Sequence, residues 1–505
     1  MVLQDWLKLK NGTDVRGVAL EGIEGEHVNL TDDVLTTIAK AFTVWLAQKT
    51  GKKNPTIAVG HDSRLSAKRV ETCVANGVTE MGSDVILTGL SSTPSMFMLL
   101  QKEDFGADGS IEITASHLPF NKNGLKFFVK EGGLEGGDIT EILTICANGA
   151  FVLQNEKGSI RERSFMDDYS ADLVQMVRSA TGEEEPLKGS RILVDAGNGA
   201  GGFYVDKVLK PLGADTTGSQ FLEPDGSFPN HIPNPENEQA MQSVCKAVIE
   251  NKADFGIIFD TDVDRAGAVD ADGEEINRNK LIALISAILL EETPGSTIVT
   301  DSVTSDGLAE FIAAKGGVHC RYKRGYKNVI NESKRLNAEG KYSPLAIETS
   351  GHAALKENYF LDDGAYLVTR ILISLAKQAK EGKKLTDMIK DLKTPLEAAE
   401  IRPTFQKDVD FKALGAGVLK DFDAYVDTLP YCSKAPDNHE GLRVNFDKDH
   451  GNGWVLVRMS LHEPIMPINA ESDSQGGVKK LIREIYDFLK QYEFLNLEKF
   501  KAYLD

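Results

Sequence analysis

Residues 191–202 read RILVDAGNGAGG: an apolar run, an aspartate, then four glycines among small residues. A run that stays apolar rather than alternating marks a strand buried on both faces, as in parallel sheets. The glycines read as a tight turn, and an amphipathic stretch over 204–212 predicts a crossover helix, with a weaker return strand near Thr216. The same plan occurs twice more. TIAVGHD, starting at Thr56, predicts a strand, a helix over 66–81 and a second strand over 84–87. STIVTDSV, starting at Ser296, leads to a helix over 306–315 and a strand in VHCRYKRG. Three such units predict three related α/β domains with mixed or mostly parallel sheets. After about Lys393 the texture changes. EIRPTFQ, LRVNFD, GWVLVRMSL and MPINAES precede a helix near 475–492, which predicts a smaller α+β domain. The expected boundaries are 1–155, 156–272, 273–395 and 396–505.

Bulk properties agree. A chain of 505 residues exceeds what one core supports, and 41% hydrophobic with 26% charged residues is ordinary globular composition. With 76 acidic and 57 basic residues the net charge is −19, so the broad basic field of a nucleic-acid binder is excluded. An anionic substrate would be repelled at long range, and local Arg, Lys, N–H groups or a metal would have to reverse that sign. The cysteines (Cys73, Cys146, Cys245, Cys320, Cys432) have neither zinc-site nor redox spacing and read as reduced thiols. The opening MVLQDWLKLKNGTD has no apolar signal core, and no run is long enough to span a bilayer. The longest apolar run, 281–290, reads as a buried helix. A soluble, cytoplasmic protein without nucleic-acid or membrane partners is expected, as monomer or dimer.

Four loops carry candidate chemistry. In GSIEITASHLPFNKNGLKFF, Ser116 follows a strand over 111–114 and enters a loop rich in His, Pro, Asn and Gly. Such a loop exposes a hydroxyl and supplies donors, with His117 adjacent and Lys126 on the next strand; it is equally the setting of a turn-capping serine. It lacks the G-x-S-x-G framing of a hydrolase elbow. The apolar FGIIF ends in Asp260-Thr-Asp262-Val-Asp264-Arg265, alternate carboxylates that can converge on a hard cation such as Mg2+ or form a solvated acidic turn. Arg265 and Ala271 stand where an EF-hand needs Gly and Glu, so it is not one. After a strand over 344–347, Glu348, Ser350 and His352 offer an acceptor, a hydroxyl and an imidazole suited to sugar hydroxyls, although His352 alone reads as structural. Upstream, Arg321, Lys323, Arg324 and Lys327 flank Gly325 as a basic cluster or a solvated face. In WVLVRMSLHEP, Arg458, Ser460 and His462 either bind phosphate or end a polar strand.

Taken in order, these loops resemble those of the α-D-phosphohexomutase family of phosphoglucomutases and phosphomannomutases. NGTDVRG resembles the family's opening G-T-x-G-x-R-G, and TASHLPFNKNGLK its phosphoserine loop T-A-S-H-N-P-x-x-x-N-G-x-K. DTDVDR resembles the metal loop D-G-D-G-D-R, and ETSGH the sugar loop G-E-x-S-G-H; PDGSFPNHIPNPE and LDDGAY are also similar to family segments. The resemblance implies four domains around a central cleft and a Mg2+-dependent intramolecular phosphotransferase. Ser116 would carry the phosphoryl group and, with Asp260, Asp262 and Asp264, bind Mg2+. Arg265 would contact the phosphoryl group, Lys126 and His352 would transfer protons, and Arg16 would support the serine loop. Glu348 and Ser350 would hold sugar hydroxyls, while His117, Lys327, Arg458, Ser460 and His462 would bind the substrate. That substrate would be a phosphorylated hexose, with a bisphosphorylated sugar as activator or phosphoryl donor.

The pattern departs from the family at Leu118, in place of Asn, and at Gly325-Tyr326. It departs most in 458–464, where Leu461 and His462 replace the Gly and Thr of R-P-S-G-T-E-P. The altered loop motivates an alternative, a hexose-1,6-bisphosphate synthase that uses the same serine. A non-catalytic phosphosugar-binding protein is the third reading.

Overall fold

Strands form where the apolar runs lie. In the computed structural model, which describes residues 2–407, 409–460 and 463–504, the first sheet collects eight strands. They are β1 (Lys10–Asn11), β2 (Asp14–Val18), β3 (Ile57–His61), β4 (Val85–Leu90), β5 (Gly109–Ile113), β6 (Lys122–Val129), β7 (Gly132–Gly133) and β8 (Ile160–Glu162). Their order is β1-β2-β6-β5-β3-β4-β8, with β7 on β6. The centre, β5-β3-β4-β8, is parallel and β6 returns antiparallel to β5. Helices Asp32–Thr50 and Ala67–Glu80 pack against each other. Their apolar faces bury Leu35, Ile38, Phe42, Val70 and Val74 in one core with Val59 and Phe127. Thr31 caps the first helix by accepting from Val34 N, and Gly51 ends it at φ 72°, a left-handed conformation that glycine adopts without strain.

RILVDAGNGAGG supplies β9 (Ile192–Asp195), which pairs in parallel with β10 (Phe255–Phe259). β11 (Ala266–Asp270) folds back antiparallel on β10 and carries β12 (Glu275–Ile276) at its edge. Helix Glu238–Asn251 covers this sheet with Met241, Val244 and Val248 against Leu193 and Ile258. Two local expectations fail here. The crossover over 204–212 is a π-helical turn, Val205–Leu209, followed by a 3-10 turn, Lys210–Leu212, rather than an α-helix. Pro211 brings no N–H, and Gly213 at φ 89° ends the segment. The return strand near Thr216 reduces to isolated bridges, Arg191 with Asp215 and Asp195 with Gln220. The intervening TTGS offers no apolar residue to bury.

The chain divides into two compact units. The first comprises Met1–Ile285 and Ser350–Met388, and thus also the hairpin Ala353–Leu355 with Leu361–Asp362 and helix Gly364–Lys380. The second comprises Ser286–Thr349 and Ile389–Asp505. Helix Asn279–Glu292 leads from one into the other, with the whole 281–290 run buried, as expected. In the second unit Thr297–Thr300 lies parallel between Val318–Arg321 and Leu345–Ile347. Its C-terminal sheet is antiparallel, in the order Glu397–Ile401, Ile468–Ser472, Gly453–Val457, Leu442–Phe446, Cys432–Lys434. Helix Gly477–Leu489 seals it with Leu481, Ile482 and Ile485. The protein is thus α/β, with a smaller α+β C-terminal part. Among the described residues, no helix is long and apolar enough to cross a membrane.

Candidate active site

Ser116 lies just past the C-terminal end of β5, at φ 51° and only 4% exposed. A non-glycine residue held left-handed costs about 1–3 kcal/mol, so the surroundings must impose it. They do. Thr114 Oγ1 accepts from Ser116 N at 2.9 Å. The buried Arg64 donates through Nη2 to Ser116 O (2.5 Å) and Leu118 O (2.7 Å), and through Nη1 to Pro119 O (2.8 Å) and Lys122 O (2.9 Å). Asp62 anchors this clamp: its Oδ1 accepts from Arg64 N at 2.9 Å and its Oδ2 lies 3.4 Å from Arg64 Nε. Burial pushes the Asp62 carboxyl up to about 6 even though Arg64 opposes the shift. Arg16, expected to support this loop, pairs with Asp14 at 2.8 Å and reaches Ala115 O at 3.5 Å. The principal anchor, Arg64, was missed by the sequence reading. Its one local sign is the polar DSR that follows the wholly buried β3.

The tip of the β10–β11 hairpin presents the carboxylates. One oxygen each from Asp260, Asp262 and Asp264 lies within 4.8 Å of the others, and all three residues are buried. Asp262 Oδ1 and Asp264 Oδ1 have no hydrogen-bond partner. Such oxygens are costly to bury unless something positive meets them, so an oxygen-only trio of this shape fits a hard metal ion. Val263, at φ 66°, holds a conformation that a β-branched residue adopts only under strain; Gly364 N donates to its carbonyl at 3.1 Å.

Serine and carboxylates meet directly. Ser116 Oγ donates to Asp260 Oδ2 at 2.9 Å and accepts from Arg265 Nη2 at 3.1 Å. Arg265 Nε donates to Asp260 Oδ2 at 3.1 Å, and its Nη1 to Asn234 Oδ1 at 3.2 Å. Thr93 Oγ1 donates to Asp262 Oδ2 at 2.6 Å. The Lys126 ammonium donates to Asp264 Oδ2 and stands 3.2 Å from Asp262 Oδ2. Burial, then repulsion from Asp264 and Asp262, raises the Asp260 pKa well above its ordinary value. Burial also works against charge on Asp264, but Lys126, His352 and Arg265 outweigh it and hold that carboxyl low. Environment therefore separates two neighbouring carboxyls.

The imidazoles separate likewise. Burial and the cations Arg265 and Arg16 push His117 down to about 2; its Nδ1 accepts from Arg265 and lies 3.3 Å from Ser116 Oγ. His352 is buried too, yet Asp362 and Asp264 raise it to about 9. Its Nδ1 bonds Asp362 Oδ2 and stands 3.9 Å from Asp264 Oδ1. Ser350 is buried in the turn just before it.

Asn234 rides on a loop with its own lock. His231 Nε2 reaches both oxygens of Asp195 at 3.0 Å, and His231 Nδ1 bonds Ile232 O at 3.0 Å. Burial disfavours the charged imidazole, but Asp195 outweighs it and raises the His231 pKa above its ordinary value. The contribution to stability is then complete below about pH 6.5 and is lost as pH rises through the raised pKa. We expect His231→Asn to lower the melting temperature relative to wild type more at about pH 6 than at about pH 9. Thermal scans of both proteins across that range check it, and a pH-independent difference rules it out.

The remaining candidates lie in the second unit. Glu348 is buried and accepts from Gly325 N at 2.6 Å, and Lys327 is half-buried in helix Tyr326–Ala338. Arg458 follows the strand Gly453–Val457, and its Nη1 lies 3.6 Å from Glu440 Oε1. Ser460 Oγ accepts from Glu463 N at 3.2 Å. His462 lies outside the described residues.

Parallel-sheet modules with a cation-flanked serine over a carboxylate trio define a phosphoryl-transfer class of site. Models of three consecutive domains match the chain: phosphoglucomutase/phosphomannomutase α/β/α domain I over 8–152, domain II over 167–273 and domain III over 277–395. The chain belongs to the phosphoglucomutase/phosphomannomutase family. A phosphoglucomutase of Neisseria gonorrhoeae is 29% identical over 463 residues, covering 92% of this chain and 93% of its own. A phosphoglucomutase/phosphomannomutase of Thermococcus kodakarensis is 30% identical over 485 residues, covering 94% and 97%. The crystal structure of a phosphoglucomutase/phosphomannomutase family protein from Burkholderia thailandensis superposes with a TM-score of 0.79 at 25% identity, covering 97% of this chain and 98% of that one.

Proposed function

We propose that the chain is a Mg2+-dependent phosphohexose mutase that interconverts hexose 1-phosphate and hexose 6-phosphate through phosphoserine at Ser116. The observation that carries this reading is the position of Ser116 Oγ, bonded at once to Asp260 and Arg265. Asp260, Asp262, Asp264 and the phosphoserine are assigned to the Mg2+, which when bound supplies positive charge against the transferring phosphoryl oxygens. Phosphoryl transfer depends chiefly on positioning and charge neutralisation, and Arg265 and Lys126 are placed to provide both.

In the first half-reaction, the P–Oγ bond of phospho-Ser116 breaks as a sugar hydroxyl oxygen bonds to phosphorus. The hydroxyl proton must pass to an unprotonated base, and Lys126 and His352 are the proton-transfer candidates; Lys126 neutralises charge only once it is protonated. The resulting hexose 1,6-bisphosphate turns over and returns its other phosphoryl group to Ser116, reversing the proton transfer. Glu348 and Ser350 are assigned to sugar hydroxyls; Lys327, Arg458, Ser460 and His462 to the phosphate not in transit; His117 to the substrate beside the serine; Arg16 to support of the serine loop. A bisphosphorylated sugar would charge Ser116 at the start. A hexose-phosphate substrate supports a role in carbohydrate metabolism, with the cytoplasm as the expected compartment.

The mutase names of the two relatives favour this reading over a bisphosphate synthase or a non-catalytic binder. Phosphorus NMR with glucose 1-phosphate or mannose 1-phosphate plus a catalytic amount of the matching bisphosphate tests it. We expect conversion to the 6-phosphate, abolished by a chelator and restored by Mg2+. Bisphosphate accumulating in step with donor consumption, or full turnover in chelator, overturns it.

A further inference from the structure

Within the second unit, a carboxylate stands beside Arg458, which is assigned to phosphate. Glu440 Oε2 accepts from Ser302 Oγ at 2.5 Å and from Arg324 N at 3.0 Å. Its Oε1 faces Arg458 Nη1 at 3.6 Å. The Arg458 side chain is 8% exposed, and its Nε is buried without a hydrogen-bond partner. Burial lowers the Arg458 pKa and Glu440 is the leading influence against it, while Arg324 adds repulsion. Beside them, Arg324 Nε lies 3.9 Å from Asp301 Oδ2. Two guanidinium groups are therefore met by two carboxylates before any ligand arrives.

A buried guanidinium left alone is strongly unfavourable, so one that must release a phosphate needs another anion at hand. We propose that Glu440 is a positioning residue for phosphate exchange. It is the internal counter-anion that reclaims Arg458 each time the substrate's phosphate leaves, and so keeps the phosphate's hold weak enough for the bisphosphate to turn over. The proposal rests on the mutase reading and on Arg458 as a phosphate ligand. It explains a carboxylate that would otherwise only weaken an anion site. A mutase grips one phosphate, lets go and grips the other, so its phosphate site gains from reversibility more than from affinity.

Glu440→Gln keeps the shape and the hydrogen bonding while removing the charge. We expect the KM for hexose monophosphate and the inhibition constant of inorganic phosphate both to fall by roughly threefold or more, with kcat falling too. A role in folding alone would move these constants the other way or leave them unchanged. Unchanged or raised values in Glu440→Gln overturn the proposal. If that variant does not fold, Glu440→Asp is read instead: its shorter reach loosens the grip on Arg458, so a smaller fall in both constants is expected, and no fall overturns the proposal. Arg458→Ala separates the two readings. It should raise both constants; if it does not, Arg458 as a phosphate ligand fails, whatever Glu440 does.

Discussion

Replacing Ser116 by alanine is expected to lower kcat for hexose-phosphate interconversion by about ten-thousandfold or more, with the fold retained. Oγ is the hydroxyl that both Asp260 and Arg265 address. Removing it leaves no poorly matched charge behind, because Asp260 Oδ2 keeps the Arg265 Nε bond at 3.1 Å. Alanine meets the same left-handed strain as serine, and the Arg64 clamp on backbone carbonyls is independent of the side chain. Kinetics should therefore collapse while thermal unfolding barely moves. Steady-state rates, intact-mass detection of phosphoserine and a melting curve decide it together. A well-folded Ser116→Ala protein within about a hundredfold of wild-type turnover would remove Ser116 from the reaction.

Arg64→Ala should produce the opposite pattern, with stability and activity lost together. The substitution takes the guanidinium from the carbonyls of Ser116, Leu118, Pro119 and Lys122, and leaves the Asp62 carboxylate buried without its cation. Breaking one side of a buried ion pair costs about 3–5 kcal/mol. Denaturant unfolding should register a loss of that size, and kcat should fall because Ser116 is no longer held in its strained conformation. Arg64→Lys restores the charge without the planar fork, so it should recover part of the stability and less of the rate. A loss below about 1 kcal/mol in Arg64→Ala would show that the loop holds itself.

Much of this architecture was legible in the sequence because its strands are buried on both faces. TIAVG, RILVD and STIVT stay apolar without alternation, and β3, β9 and Thr297–Thr300 form on them. The carboxylate trio was legible because a hairpin tip brings alternate residues together locally. What failed was either non-local or a conflict of signals. Arg64 acts on carbonyls more than fifty residues away, and Glu440 faces Ser302, Arg324 and Arg458 from a distant stretch of chain. No spacing rule encodes such partners. Over 204–212 the apolar positions have helical spacing, yet Pro211 and the polar TTGS beyond it prevail. Ser116 itself resembled a turn serine until the carboxylates were placed against it.

The partition of the chain sets an order of assembly during synthesis. The first unit needs residues 350–388, but 286–349, which belong to the second unit, are translated before them. A nascent chain that has passed Arg265 already carries the serine, the trio and their cations. It still lacks His352 and Asp362, which follow only after the opening segment of the other unit. Neither unit is an uninterrupted stretch of chain, so neither can be released by a single cut or grafted elsewhere as one cassette. On the ribosome the carboxylate cluster is made first and its imidazole partner last. A protein truncated at residue 285 would carry the nucleophile's setting without that imidazole.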